Sequence, residues 1–139
     1  MIVVDASVLA VALADDGEDG DGARRRLRGE RLAAPELIDL EVVSVLRRQF
    51  RRGALDGRRA AQALSDLADM PLERARHRAL LDRCWELRGN LTVYDAVYVA
   101  LAEALGTTLL TGDLRLAAAP GPRCQIETFQ SATGQTTRC

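Results

Sequence analysis

The sequence predicts an α/β fold of three layers, a short parallel sheet flanked on both faces by helices. Short apolar runs recur along the chain: Ile2-Val3-Val4, Leu32-Ala33-Ala34, Thr107 to Thr111 and Cys124 to Thr128. Longer stretches with helical apolar spacing separate them, which is the alternation a parallel sheet requires of its crossovers. Asp5 and Asp113 each follow directly on a predicted strand, at the carboxyl edge where open parallel sheets build their sites.

Residues 2–5 read as a buried strand closed by Asp5, and Ala6 to Ala14 as a helix with that acid near its N-terminus. Asp15 to Asp21 is acidic and punctuated by glycines. It lacks the ligand spacing of an EF-hand, so it reads as a solvated loop capping an Arg-rich helix. Leu32 to Ala34 is a short strand, and Pro35 opens a helix to about Arg52. Gly53 ends it, and Asp56 begins the next, running to about Asp69. Pro71-Leu72-Glu73 is extended. Arg76 to Arg88 reads as a helix with Leu80, Leu81, Cys84, Trp85 and Leu87 as its apolar surface, stopped by Gly89-Asn90. Thr92 to Leu105 is helical up to Gly106, residues 107–111 form a strand, Asp113 to Ala118 a short helix, and residues 124–128 a last strand. Trp85, Tyr94 and Tyr98 fall within apolar helical patterns and read as core.

The chain of 139 residues suits one domain, placed at 1–130, with a polar, disordered tail at 131–139. No apolar run approaches the roughly 20 residues of a membrane span. No basic segment precedes an apolar stretch at the N-terminus, so no signal peptide is expected. Cys84, Cys124 and Cys139 form no spacing motif, and their odd number suits reduced thiols in a cytoplasm. All 19 strongly basic residues are Arg. That excludes a P-loop lysine, a Schiff base and a lysine-activated serine. With net charge −1, any nucleic-acid contact has to come from local patches such as Arg24-Arg25-Arg26-Arg28 or Arg47-Arg48-Arg51-Arg52, which otherwise read as solvated helix faces.

Four acids stand in apolar surroundings without a local cation: Asp5, Glu41, Asp95 and Asp113. Glu41 has Leu37, Ile38, Ser44 and Val45 three and four residues away, and Asp95 has Leu91, Thr92, Tyr98 and Val99. Elsewhere acids have a base in reach, as Asp82 has Arg78, Glu86 has Arg83 and Glu73 has Arg76. A desolvated carboxylate demands a cation or a proton, so four together suggest a shared metal ion. Each also has a structural alternative. Asp5 and Asp113 can cap the helices that follow them, Thr92 to Asp95 resembles a capping box, and a distant Arg can reach Glu41. Ser7 and Thr111 are candidate helpers that orient Asp5, a water or a turn. A serine–histidine mechanism is disfavoured, because His77 is the single histidine and lies between Arg76 and Arg78 in an exposed-looking segment.

Four segments carry a resemblance. They are Ile2-Val3-Val4-Asp5-Ala6-Ser7, Glu41 to Arg48, Thr92 to Glu103, and Leu109-Leu110-Thr111-Gly112-Asp113. In order and spacing the chain resembles a PIN-domain ribonuclease of the VapC type, the toxin of a bacterial toxin–antitoxin pair. The resemblance implies an endoribonuclease that hydrolyses RNA phosphodiester bonds with Mg²⁺ or Mn²⁺ in an acidic pocket. It also implies a homodimer held inactive by a cognate antitoxin. Asp5 and Asp95 would be the principal metal ligands, Asp113 would complete the set directly or through water, and Glu41 would position the attacking water or a second metal. Ser7 and Thr111 would support them, and the products would carry a 5′-phosphate and a 3′-hydroxyl. The chain departs from the pattern at Ser44, where Asn is frequent, and at Gly112, where bulkier residues are common.

Two rivals belong to other classes. An Mg²⁺-dependent aspartate phosphotransfer domain needs a lysine, absent here, and its phosphatase form needs an acid where Ser7 stands. A catalytically silent PIN-like protein-binding module would have lost an acid, and all four are present.

Overall fold

The computed structural model describes residues 1–131; apart from its first residue, the tail expected at 131–139 lies outside them. The apolar residues at the start of the chain form β1 (Ile2–Val4), buried throughout and central in the sheet. β2 (Leu32–Pro35), β3 (Leu72–Ala75), β4 (Thr108–Thr111) and β5 (Ile126–Thr128) complete it. The strand order is β3-β2-β1-β4-β5, and every pairing is parallel. The extended Pro71 segment is therefore the approach to a full edge strand.

α1 (Ala6–Ala14) and α2 (Glu18–Leu27) join β1 to β2, and α3 (Leu37–Arg51) and α4 (Gly57–Asp69) join β2 to β3. α5 (Leu81–Glu86) and α6 (Val93–Leu105) lead to β4, and α7 (Leu114–Ala118) to β5. The strand order runs outward one way from β1 to β3 and the other way from β4 to β5. With right-handed crossovers, the first four helices cover one face and the last three the other, which is the predicted three-layer arrangement. α1 packs against α2, α3 and α4, and α5 packs against α6. α1 is apolar nearly all round and almost wholly buried, as its place between the sheet and other helices requires. α6 stops where Gly106 turns left-handed at φ 61° and its N–H closes onto the carbonyls of Ala102 and Glu103.

Four expectations change. Pro35, read as the opening of a helix, closes β2 instead, and α3 begins at Leu37. α2 begins at Glu18, inside the acidic segment read as a loop, because Asp15 Oδ1 accepts the N–H groups of Gly17 and Gly20 at 2.7 and 3.3 Å and so serves its free donors. Its acids sit in the first turn and its arginines in the last, as the helix dipole favours. The helix read at 76–88 shortens to a 3₁₀ turn at Arg78–Leu80 followed by α5. His77 turns aside there: it is half-buried rather than exposed, and its Nε2 accepts the Leu37 N–H at 3.0 Å, at the start of α3. Finally, Trp85 (65 % exposed) and Tyr94 (64 % exposed) are surface residues. The Arg88 guanidinium lies 4.4 Å from the centre of the Trp85 ring. Only Tyr98 of the three is core, with 0 % exposure.

Candidate metal centre

β1 and β4 are neighbours in register, Val4 opposite Leu110, and the Asp5 N–H bonds the Leu110 carbonyl at 2.9 Å. The connections diverge from this pair, so it is the topological switch point of the sheet. Asp5 leaves the end of β1 and Asp113 follows the end of β4. Asp95 lies in the first turn of α6, and Glu41 is one turn into α3. All four line one cleft of about 330 Å³, with Ala6, Ser7, Ser44, Val45 and Arg48.

Two hydroxyls hold Asp5. Ser7 Oγ donates to its Oδ2 at 2.8 Å and Thr111 Oγ1 to the same atom at 2.7 Å. Each hydroxyl accepts a backbone N–H in turn, from Gly112 at 2.9 Å and from Asp113 at 3.0 Å. With its hydrogen directed at Asp5 and its lone pair occupied, neither hydroxyl is free to rotate. Asp5 is 8 % exposed and Thr111 fully buried. The candidate helpers Ser7 and Thr111 thus both bond Asp5 directly.

Among the described residues, no arginine reaches across to Glu41. Instead the Tyr98 hydroxyl donates to its Oε1 at 2.8 Å. Burial pushes the Glu41 carboxyl above its ordinary value; the Tyr98 bond opposes this, and the charges of Asp5 and Asp95 add to it. Burial likewise raises Asp95, against a hydrogen bond from Thr92; Asp5 and Asp113 push it further up, and Arg115 pulls it down. The Tyr98 hydroxyl is itself held well above the usual phenol range by burial and by Glu41.

The capping alternatives are present at Thr92 and Asp113 and absent at Asp5. Thr92 Oγ1 accepts the Asp95 N–H at 3.1 Å, and Asp113 Oδ1 accepts those of Arg115 and Leu116 at 2.8 and 3.4 Å. Asp5 stands at the N-cap of α1 without a side-chain cap bond. Among the described residues, none of the four acids forms an ion pair. Elsewhere the expected pairing holds for Glu86 with Arg83 at 3.0 Å, while Glu73 pairs across strands with Arg31 at 2.5 Å instead of with Arg76.

An all-oxygen donor set of unneutralised carboxylates, two of them driven toward protonation by burial and then by their acidic neighbours, fits a hard divalent cation. Among the described residues, no three Asp, Glu, His or Cys side chains are drawn together tightly enough to grip one. The acids surround the cleft without forming a finished ligand set.

Residues 2–122 match the family described as PIN domain. The chain belongs to the PIN-domain family. Within it the chain is of the VapC type. It is 48% identical over 129 residues to Ribonuclease VapC9 of Mycobacterium tuberculosis, covering 91% of this chain and 96% of that one. It is 44% identical over 126 residues to Ribonuclease VapC1 of the same organism, covering 90% and 95%. The crystal structure of VapBC2 from Rickettsia felis, bound to a DNA fragment from their promoter, superposes with a TM-score of 0.67. It covers 94% of this chain and 100% of that one, and at 15% identity it supports the fold alone.

Two side chains of this PIN site went unrecognised in the sequence. Tyr98 read as plain core, and only its apolar helical spacing was visible. Arg48 read as one of a patch, whereas it lines the acidic cleft itself.

Proposed function

We propose that this VapC-type PIN protein is the toxin of a toxin–antitoxin pair, an endoribonuclease that hydrolyses RNA phosphodiester bonds at the cleft of Asp5, Glu41, Asp95 and Asp113. The observation that carries the reading is the convergence of four carboxylates, distant in sequence and without a cationic partner among the described residues, on the switch point of the sheet. The ribonuclease names of its relatives support the reaction class.

Asp5 and Asp95 would be the principal ligands of a divalent ion, Mg²⁺ with Mn²⁺ as its substitute, and Asp113 would complete the set directly or through water. When bound, such an ion lowers the pKa of a water and offsets charge developing on the phosphate oxygens. Ser7 and Thr111 fix the direction of Asp5 so that no rotamer has to be frozen when the site fills. Tyr98 occupies Glu41 Oε1, leaving Oε2 to orient the attacking water and take its proton. The raised proton affinity of Glu41 suits that task. Arg48, exposed at the rim, offers a guanidinium to a backbone phosphate. In-line attack leaves a 5′-phosphate and a 3′-hydroxyl. The protein acts as a cytoplasmic homodimer restrained by its cognate antitoxin, and no described helix is long and apolar enough to cross a membrane.

The test is cleavage of total RNA by antitoxin-free protein in Mg²⁺, Mn²⁺ or EDTA, beside Asp95→Asn, with fragment ends mapped. Cleavage should require the metal and fall by at least about 100-fold in the variant, beyond the 10–100-fold that outer-shell changes produce. Cutting in EDTA, or by Asp95→Asn at the parent rate, overturns the reading.

A further inference from the structure

Ser7 lines both the acidic cleft and a second recess of about 340 Å³, within the roughly 300–1,000 Å³ range of small-molecule clefts. Val11, Leu114 and Phe129 form its apolar wall and Gln130 and Ser131 its polar rim, while Ser7, which also lines the acidic cleft, and Gly112, bonded to its hydroxyl, form its neck on the side of the carboxylates. We propose that this recess receives the base of an unpaired nucleotide beside the scissile phosphate, and that Gly112 is what leaves it open. The proposal rests on the acidic cleft being the RNA-cleaving site.

Gly112 is not among the glycines whose backbone takes a positive φ, so the chain path does not demand glycine there. The demand is for space. A Cβ at this position would sit 3.3 Å from Ser7 Oγ and 3.7 Å from the Phe129 carbonyl oxygen, in the neck itself. A larger side chain has to fill the neck or displace the hydroxyl that orients Asp5.

The lining selects the occupant. Among the described residues no charged one lines the recess, so it suits a neutral base better than a phosphate, for which Arg48 stands in the acidic cleft. Leu114, next to Asp113, is 58 % exposed, apolar surface in search of a flat partner. Phe129 is held in place: its N–H bonds the Thr111 carbonyl at 2.8 Å, and its ring lies against Gly22, where a Cβ would meet Cζ at 3.6 Å. A fixed aromatic is a stacking surface for a base, and Gln130 and Ser131 carry donors and acceptors for its edge. A base can enter only when unstacked, so the substrate segment is single-stranded or looped.

The experiment begins with single-stranded RNA of mixed sequence, cut by the full chain in Mg²⁺ with ends mapped. A short oligonucleotide of the best-cut sequence is then compared with versions abasic at each nucleotide flanking the cut. The abasic change on one side should lower kcat/KM about tenfold, the scale of one lost base stack, and the change on the other side should do much less. Leu114→Ala, Phe129→Ala and Gly112→Leu should each bring the ratio of intact to abasic kcat/KM toward unity. Leu114 is exposed, so its variant keeps the test valid if Phe129→Ala fails to fold. Metal-dependent cutting with no abasic effect, or with the ratio unchanged in Leu114→Ala and Gly112→Leu, overturns the recess and leaves the nuclease standing. No cutting of any RNA overturns both.

Discussion

At the scale of single residues, Glu41 shows how a carboxylate can remain in apolar surroundings without an ion pair. Its partner is a hydroxyl on a fully buried ring, supplied by a residue 57 positions along the chain. A neutral donor leaves the charge on Glu41 in place, whereas an arginine would cancel it. Tyr98→Phe keeps the ring and removes the donor. The hydrogen bond to a charged group is worth about 1.5–3 kcal/mol at most, and the buried hydroxyl's own desolvation returns part of that, so the melting temperature should fall only slightly. Cleavage should fall about 10–100-fold, as for other changes behind a functional carboxylate. Equal kcat/KM in Tyr98→Phe and the parent would make the bond purely structural. The lack of a base at three and four residues from Glu41 was legible in the sequence. Tyr98 as its partner was not, because an i-to-i+57 contact leaves no local pattern and a tyrosine in an apolar helix face reads the same whether or not its hydroxyl has a task.

At the scale of elements, a single side chain can serve both structure and chemistry, and on the proposed reading Asp113 is the clearest case. Its Oδ1 caps α7, a helix of five residues with little else at its start, and the residue also lines the acidic cleft. Asparagine caps as well as aspartate does, while alanine gives up about 1 kcal/mol. Asp113→Asn should therefore keep the parent's stability and lose cleavage, and Asp113→Ala should lose both; thermal melts beside RNA cleavage read the two apart. Parent-level cleavage by Asp113→Asn would reduce the acid to a cap. The dual role explains why sequence reasoning left both options open at this position: cap and ligand demand the same residue at the same place. The elements themselves were largely legible, because β-branched runs and helical spacing change period sharply at Asp5, Pro35 and Gly106. The start of α2 and the shortened α5 were not, since Asp15 and His77 act through bonds to groups outside their own pattern.

At the scale of the whole molecule, the fold gathers like charges at its switch point and balances others elsewhere. Arg83 holds the Glu103 carboxyl, and Arg26 that of Glu127, below the ordinary value; their stabilisation is present above it and lost as pH falls. Asp95 and Glu41 run the other way. Their folded pKa values lie above the ordinary 3.8 and 4.5, so their contribution is full below those values and is lost as pH rises through the raised ones. At neutral pH without a divalent ion, the acidic cleft is thus a site of stored repulsion, and activity and stability oppose each other there. In EDTA at pH 7, Asp95→Asn should be more stable than the parent by roughly 0.5–2 kcal/mol, and the gap should close as the pH falls toward 3.8. The Arg-paired glutamates are common to both proteins and cancel in the difference. Mg²⁺ should then raise the parent's melting temperature more than the variant's, because only binding to the folded state adds stability and the variant lacks a ligand. Denaturant melts of both proteins at several pH values, with and without Mg²⁺, read all of this. A less stable Asp95→Asn in EDTA at pH 7 would mean that Thr92 and Arg115 outweigh burial and the neighbouring acids. The cleft would then be a relaxed polar surface, without the charge repulsion that makes it receptive to a cation.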